Sequence, residues 1–151
     1  MSVTEARSRT MRAIKRSDTA PELRVRSALH RRGLRFKVDD GSLPGRPDIV
    51  LPKHRCVIFV HGCFWHGHRC HYFKWPKTRK AFWSAKILGN ISRDRRVARE
   101  LLDLSWRVVT VWECATRDQP PAAIERRMAR LAGWIKAHDS RRKREVSGSG
   151  S

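Results

Sequence analysis

Long apolar runs are missing from this sequence of 151 residues. A membrane-spanning helix needs roughly 20 consecutive apolar residues, and no segment approaches that length, so we expect no such helix. The opening residues, Met1–Arg7, lack the apolar region of a secretory signal, and we therefore expect a cytoplasmic protein. A chain of this length has room for one domain with one hydrophobic core.

Acidic residues are also scarce, because 14 Asp and Glu stand against 34 Lys and Arg, which gives a formal charge of +20. Such an excess of positive charge opposes compaction and self-association and favours a polyanionic partner. The sequence has only four cysteines, and in a reducing compartment these indicate metal binding before disulfide formation. Six tryptophans are many for this length. Some must fill the core, but a basic protein also uses aromatic faces to stack on bases.

We divide the sequence into a basic arm (residues 1–17), a central domain (18–138) and a basic tail that ends in an added Ser/Gly linker (139–151). We expect the arm to become ordered on its partner and the charged tail to be solvated. Within the domain, helix and strand patterns follow one another between Gly/Pro turn signals. The predicted helices are a first helix between Thr19 and Gly33, residues 78–104 with an interruption near Gly89-Asn90, and a last helix with Ile124, Met128, Leu131 and Ile135 on its inner face. The predicted strands are residues 34–38, 48–51, 56–60 and 106–112.

A loop rich in Gly and His, residues 61–70, follows the central apolar strand. The donors that could reach one ion, if this loop curls, are Cys63, His68, Cys70 and Cys114. A closed Cys3His set suits structural zinc, and a loop with so little apolar surface would gain stability from the metal. His66 or His71 could replace His68 as the fourth ligand. The alternative is four reduced cysteines beside an incidental His-rich loop, and Cys56, inside the apolar run, fits that alternative.

Carboxylates and histidines near the strand ends form a second candidate site. Asp48 begins an apolar strand, where it either binds a divalent metal in the manner of a phosphodiesterase or merely closes a turn. Asp94 lies on the inward stripe of a helix, so its carboxylate needs a partner, either a histidine or one of the many nearby cations. His61 and His66 could divide the work, one as a general base for water and one in contact with phosphate.

Adjacent aromatic residues, Phe64 and Trp65, stand on the same polar loop. Both could be core residues, but two large rings on a Gly/His loop are more simply explained as a wedge that stacks on bases. Trp83 is a candidate for a third such ring, but its place in a helix favours core packing instead.

Several motifs carry a resemblance to a known family. In order along the chain, Leu43–Asp48 (LPGRPD), Cys56–His66 (CVIFVHGCFWH), Asn90–Arg96 and Trp106–Cys114 resemble the very-short-patch repair (Vsr) DNA mismatch endonucleases, over about Met11 to Arg117. The resemblance implies an α/β, restriction-endonuclease-like fold, with a mixed sheet flanked by helices and a structural zinc. It implies a magnesium-dependent endonuclease that hydrolyses one strand 5′ to the thymine of a T:G mismatch, the product of 5-methylcytosine deamination.

The resemblance also implies partners and residue roles. The partner would be double-stranded DNA bound by a monomer at the nucleoid, with a functional link to a cytosine-5 DNA methyltransferase and other repair proteins. Asp48 and the backbone carbonyl of Val60 would hold magnesium, with Glu22 supporting them through water, although a helix-capping role explains Glu22 equally well. His66, oriented by Asp94, would activate water, while His61 would contact the scissile phosphate. The implied zinc ligands are Cys63, His68, Cys70 and Cys114. The implied intercalating side chains are Phe64, Trp65 and Trp83 from the major groove and Met11 from the opposite groove.

The sequence departs from the family pattern at a few positions. Val60 stands where Thr is familiar, and Gly67 and Arg69 interrupt a run of histidines that is often longer. Two alternatives remain open: a nuclease of the same fold with relaxed or different specificity, and a non-catalytic, zinc-stabilised module that binds mismatched DNA. The set of Asp48, His61, His66 and Asp94 distinguishes an enzyme from the non-catalytic module, because a simple binder needs no inward-facing carboxylate.

Overall fold

The computed structural model of the protein describes residues 19–137 and 143–148. The predicted N-terminal arm, with Met11, lies outside the described residues. The helices are α1 (Ala20–Arg31), α2 (Lys80–Asp103) and α3 (Pro121–Lys136). The strands are β1 (Lys37–Val38), β2 (Ile49–Leu51), β3 (Cys56–His61), β4 (Arg107–Trp112) and β5 (Lys143–Val146). Within these ranges, no helix combines the length and the apolar character that are needed to cross a membrane.

The five strands form one sheet in the order β1-β2-β3-β4-β5. Strands β1, β2 and β3 pair antiparallel, whereas β3, β4 and β5 pair parallel. Parallel neighbours need a long crossover connection, and α2 and α3 lie on the two crossovers. The predicted α/β fold, a mixed sheet flanked by helices, is therefore confirmed.

Helices cover both faces of the sheet, as the alternation of side chains along β3 makes clear. Cys56 and Ile58 belong to the core formed with α1 and α3, whereas Val57 and Phe59 belong to the core formed with α2. A strand that is buried on both faces is apolar at nearly every position, and β3 is apolar as far as Val60. Full burial of one such side chain stabilises the fold by roughly 1.5–3 kcal/mol.

Helix α1 begins at the predicted cap. The hydroxyl of Thr19 accepts a hydrogen bond from the backbone N–H of Glu22 at 3.4 Å, which satisfies one of the donors that a helix start leaves without a backbone partner. The helix ends at Arg31, and Gly33 follows with a φ of +80°. Glycine adopts this left-handed conformation without strain, so it ends the helix where the sequence predicts.

Helix α2 runs without a break from Lys80 to Asp103, so the interruption predicted near Gly89-Asn90 is wrong. A glycine inside a helix costs only about 1 kcal/mol relative to alanine. Packing outweighs that cost, because Ile87 before the glycine and Leu101 after it are fully buried. The helix is therefore held on both sides of its weakest position.

Strand β5 lies where a solvated tail is predicted from the charge run Arg141–Arg144. In the structure, residues 143–146 pair with residues 108–111 of β4, and Val146 is buried in the core with α1 and α3. Only one of the four residues of β5 is apolar, so the strand has no alternation that a sequence pattern could reveal. Gly148, in the predicted linker, donates its backbone N–H to Sγ of Cys114 at 3.3 Å.

Candidate active site and metal centres

Parallel pairing of β3 with β4 brings two cysteines to the same edge of the sheet. The register pairs His61 with Trp112 at its last step, and Cys63 and Cys114 each stand two residues further on. The loop that follows β3 then curls back over this edge. The residues whose ligand atoms lie within 4.8 Å of one another are Cys63, His68, Cys70 and Cys114. The structure thus brings together the four residues of the predicted zinc set.

This Cys3His cluster has the chemistry and the spacing of a tetrahedral metal site. Sγ of Cys114 lies 3.7 Å from Nδ1 of His68, close to the roughly 3.6 Å that separates such ligands around tetrahedral zinc. Burial raises the pKa of the Cys63 and Cys114 thiols, so a bound cation would be needed to keep both as thiolates. The alternative ligands, His66 and His71, do not belong to the cluster.

The Cys/His loop packs closely on helix α2, and Gly67 makes this approach possible. Its φ is +61°, and a Cβ at this position would lie 2.8 Å from Cδ1 of Ile91 and 3.0 Å from Cγ2 of Ile87. Asn90, on the same stretch of helix, donates a side-chain hydrogen bond to the backbone carbonyl of Trp65 at 2.8 Å. The loop is therefore fixed to α2 about one helical turn before Asp94.

A second cluster joins β3, the loop and α2. Oδ2 of Asp94 lies 2.5 Å from Nδ1 of His66 and 3.9 Å from Nδ1 of His61. The two imidazole rings stack, with centroids 3.8 Å apart and planes inclined by 2°. Of the two kinds of partner predicted for Asp94, the structure provides the histidine. Donation from Nδ1 to the carboxylate selects the tautomer in which Nε2 of His66 can accept a proton.

His61 has a different environment from its stacked neighbour. Burial, and to a smaller extent His66, lowers the pKa of His61 to about 3, while Asp94 acts in the opposite direction. The imidazole of His61 is therefore neutral near pH 7, and it can offer one hydrogen-bond donor and one acceptor.

Three carboxylates, Glu22, Asp39 and Asp48, form a third group, the acidic cluster, whose oxygens lie within 4.8 Å of one another. Asp48 precedes β2, and its Oδ2 accepts a hydrogen bond from the backbone N–H of Val60 at 2.7 Å. Glu22, on the first turn of α1, is 2% exposed. The cluster therefore lies beside the end of β3, one residue before His61.

Burial raises the pKa of Asp48 to about 7. The hydrogen bond from Val60 opposes this shift, the carboxylates of Glu22 and Asp39 add to it, and Arg26 reduces it. A carboxyl in this environment is still partly protonated near neutral pH, and a bound cation would favour its ionised form.

Asp39 belongs to the acidic cluster but is not among the site residues predicted from the sequence. The hairpin register pairs Val38 with Ile49, and the backbone N–H of Asp39 donates to the carbonyl oxygen of Asp48 at 3.2 Å. The two aspartates are therefore neighbours across the hairpin. The signal that could have found Asp39 is this register, which the loop sequence between the strands does not reveal.

The zinc-type cluster also has two neighbours that sequence reasoning missed. The ring of Trp112 stacks on His68, with centroids 4.1 Å apart. Oε1 of Glu113 accepts a hydrogen bond from the backbone N–H of Cys63 at 3.0 Å. Trp112 is the last residue of β4 and Glu113 follows it, so the end of this strand orients the ligands as well as supplying Cys114.

Three rings, Phe64, Trp65 and Trp83, form an aromatic cluster beside this loop. Their centroids lie 5.3 Å (Phe64–Trp65), 5.4 Å (Phe64–Trp83) and 5.7 Å (Trp65–Trp83) apart. All three are half-buried. The core position expected for Trp83 is not the one found, because Trp83 packs against the loop rings instead of into either face of the sheet. Met11 lies outside the described residues.

Known proteins resemble this chain over most of its length. Residues 2–72 match the family model described as DNA mismatch endonuclease Vsr. The DNA mismatch endonuclease Vsr of Escherichia coli (strain K12) is 54% identical over 129 residues, 85% of this chain and 83% of that protein. The type II nicking enzyme V.XorIIP of Xanthomonas oryzae pv. oryzae is 45% identical, over 84% of this chain and 92% of that protein.

One solved structure also shares the fold. The catalytic domain of the homing endonuclease I-Bth0305I superposes with a TM-score of 0.53, over 82% of this chain and 100% of that domain. The two sequences are 20% identical, so this likeness concerns the arrangement of sheet and helices alone.

We expect Asp48 to make the metal-free protein less stable as the pH rises from about 4 to about 7. Its carboxyl has an ordinary pKa of 3.8 and a pKa of about 7 in the fold. The contribution to stability is therefore fully present below the lower value and is lost as the pH passes the higher one. Asp48→Asn should remove this fall, which is on the order of a few kcal/mol, in urea unfolding measured in EDTA.

The control is Asp103→Asn, which changes an exposed carboxylate at the end of α2 and should follow the wild-type curve. Equal pH slopes for the wild type and Asp48→Asn would contradict the raised pKa.

Proposed function

Because the chain belongs to the Vsr family of DNA mismatch endonucleases, we propose that it nicks one strand of double-stranded DNA immediately 5′ to the thymine of a T:G mismatch. The protein is an endonuclease, and its relatives include type II nicking enzymes. The observation that carries the proposal is the His66–Asp94 pair, which lies at the end of the same strand whose backbone binds Asp48. A general base and a carboxylate donor for a divalent cation thus lie beside the end of one rigid strand, β3.

His66 is the proposed general base. Asp94 accepts the hydrogen bond from Nδ1, which leaves Nε2 to take a proton from the attacking water, and the carboxylate then stabilises the imidazolium. The neutral ring of His61, stacked on His66, donates a hydrogen bond to the scissile phosphate without competing for the proton.

Magnesium is the proposed catalytic cation, because carboxylate and carbonyl oxygens are the ligands that it prefers. Asp48 and the backbone carbonyl of Val60 would hold it, with Glu22 supporting it through water. When bound, the cation supplies positive charge against the charge that develops on the phosphate oxygens. The hydrogen bond from Val60 to Asp48 keeps the carboxylate in place for this role.

Zinc is the proposed structural metal, held by Cys63, His68, Cys70 and Cys114. The donor set and its burial fit a closed tetrahedral site. The ligands enclose the loop that carries Phe64, Trp65 and His66, so the metal would fix the general base and the aromatic cluster together.

The aromatic cluster is the proposed mismatch probe. Phe64, Trp65 and Trp83 would insert beside the mismatch from the major groove, and Met11, from the arm, would enter the opposite groove. A T:G wobble keeps two hydrogen bonds, so base edges alone give modest discrimination. Insertion probes instead how easily a base step opens, and the cost of opening is lowest where pairing is already faulty.

We further propose that the protein acts as a monomer at the nucleoid, because its charge of +20 opposes self-association and attracts DNA. Since T:G pairs arise where 5-methylcytosine deaminates, a functional link to a cytosine-5 DNA methyltransferase and to other repair proteins follows from the proposed substrate.

Zinc removal should unfold part of the protein. We expect purified wild type to contain one zinc per chain by elemental analysis, and Cys70→Ser to lose both zinc and stability, because metal affinity is part of the folding free energy. Cys56→Ala is the matched control, since Cys56 is a buried thiol outside the cluster and should keep its zinc. Folded wild-type protein without zinc would contradict the assignment.

Nicking should need both magnesium and His66. Duplexes that differ only in carrying T:G, another mismatch or a full pair should be nicked with magnesium at T:G alone, and EDTA should stop the reaction. His66→Ala should lower the single-turnover rate by about 10²–10⁴, with affinity for the T:G duplex nearly unchanged, because phosphate contacts dominate affinity.

His71→Ala, which changes a histidine outside all three clusters, serves as the control and should keep the wild-type rate. A His66→Ala variant with near wild-type turnover would rule out this residue as the base. Binding without nicking in the wild type would favour the non-catalytic alternative, and nicking at every mismatch would favour relaxed specificity.

Trp65→Ala should reduce the preference for T:G over matched DNA by about tenfold or more, because the energy of opening a base step is a few kcal/mol. Its binding to matched DNA should change far less, and competition binding with the two duplexes measures both. Trp75→Ala is the control, since Trp75 is 52% exposed and makes no ring contact with Trp65, Phe64 or Trp83 among the described pairs. An unchanged preference together with lost stability would make Trp65 a core residue.

A further inference from the structure

A positive side chain, Arg26, lies inside the acidic cluster, and the proposed chemistry gives it no role. Its Nη2 atom lies 3.2 Å from Oε2 of Glu22 and 3.6 Å from Oδ2 of Asp39. The side chain of Arg26 is 13% exposed, that of Glu22 is 3% exposed and that of Asp39 is 20% exposed. The arginine is thus largely withdrawn from solvent, together with the carboxylates that it bridges.

Local structure places Arg26 there. Glu22 and Arg26 are four residues apart on α1, so both lie on one face of the helix. Asp39 is brought to the same place from the other side, through its hydrogen bond across the β1–β2 hairpin to Asp48. One guanidinium therefore connects a helix carboxylate to a hairpin carboxylate, both of which belong to the acidic cluster.

The charges of the cluster can be summed over the described residues. When Glu22, Asp39 and Asp48 are all ionised they carry a charge of −3, and Arg26 brings this sum to −2. The same balance acts on Asp48, because burial raises its pKa most, Glu22 and Asp39 raise it further, and Arg26 lowers it. A divalent cation that enters the cluster meets the repulsion of the guanidinium, which poor screening in a buried site makes stronger.

We infer that Arg26 is an internal counter-cation that weakens divalent-metal binding by the acidic cluster in the free protein. This inference rests on the proposed function, in which the acidic cluster is the magnesium site. Its consequence is that the cluster binds magnesium firmly only when a phosphate of bound DNA adds further negative charge and further oxygen ligands. Arg26 thereby makes metal loading depend on the substrate, and Asp39 keeps the arginine in place.

Magnesium binding without DNA tests this inference by calorimetric titration with MgCl₂ at pH 8. Arg26→Gln should bind Mg²⁺ on the order of tenfold more tightly than the wild type, because a nearby positive charge is removed. Asp39→Asn should bind it on the order of tenfold more weakly, because a carboxylate is removed while the arginine remains. The double variant restores the charge of −2 and should return to within a few-fold of the wild type.

Arg24→Gln is the matched control: it removes the same charge from the same helix, but Arg24 contacts the carbonyl of Thr116 and not the acidic cluster. It should leave the Mg²⁺ affinity unchanged. Unchanged or weaker binding by Arg26→Gln overturns the inference, and if that variant does not fold, unchanged binding by Asp39→Asn overturns it. Asp48→Asn distinguishes failure of this inference from failure of the proposed magnesium site. Wild-type Mg²⁺ affinity in this variant would overturn the proposed site itself, and the inference with it.

Discussion

Strands β3 and β4 pair in parallel over six residue pairs, from Cys56 beside Arg107 to His61 beside Trp112. Beyond the last pair, both strands run on into the Cys3His cluster. The alternation of side chains along β3 turns His61 to the α2 side, where Asp94 lies, while the backbone N–H of Val60 binds Asp48. A shift of one residue in this register would move every side chain of β3 to the other face, and the three clusters would no longer meet at one strand end.

The protein carries a formal charge of +20, and four of its acidic residues, Glu22, Asp39, Asp48 and Asp94, belong to the clusters of the site. No acidic residue stands between Asp48 and Asp94 in the sequence, and each of the two ends in a different cluster. The same molecule can therefore attract a polyanion over long distances and bind a small cation at one point. The attraction depends on the charge of the whole surface, whereas cation binding depends on a few buried oxygens.

The sequence predicts those features that periodicity or residue chemistry marks directly. Central strands buried on both faces are visible in the sequence as apolar runs. A cysteine after each of two such strands indicates that both strands end at the same edge of the sheet. Features that depend on long-range pairing are hidden. Strand β5 has almost no apolar pattern, since its hydrogen bonds to β4 hold it in place, and the neighbour relation of Asp39 and Asp48 exists only in the hairpin register. Gly89 leads to the opposite error, a predicted helix break that is absent. The free-energy cost of a glycine in the helix is smaller than the stabilisation from the buried side chains on either side of it.

The unbroken course of α2 has a mechanical consequence. Trp83, Asn90 and Asp94 stand on one helix, and at a rise of about 1.5 Å per residue the first and last are separated by about 17 Å along its axis. A helix without a kink is stiff over such a length, so its two ends move as one rigid body. A displacement of α2 along its own axis would therefore move Trp83 and Asp94 together, because the helix is continuous through Gly89.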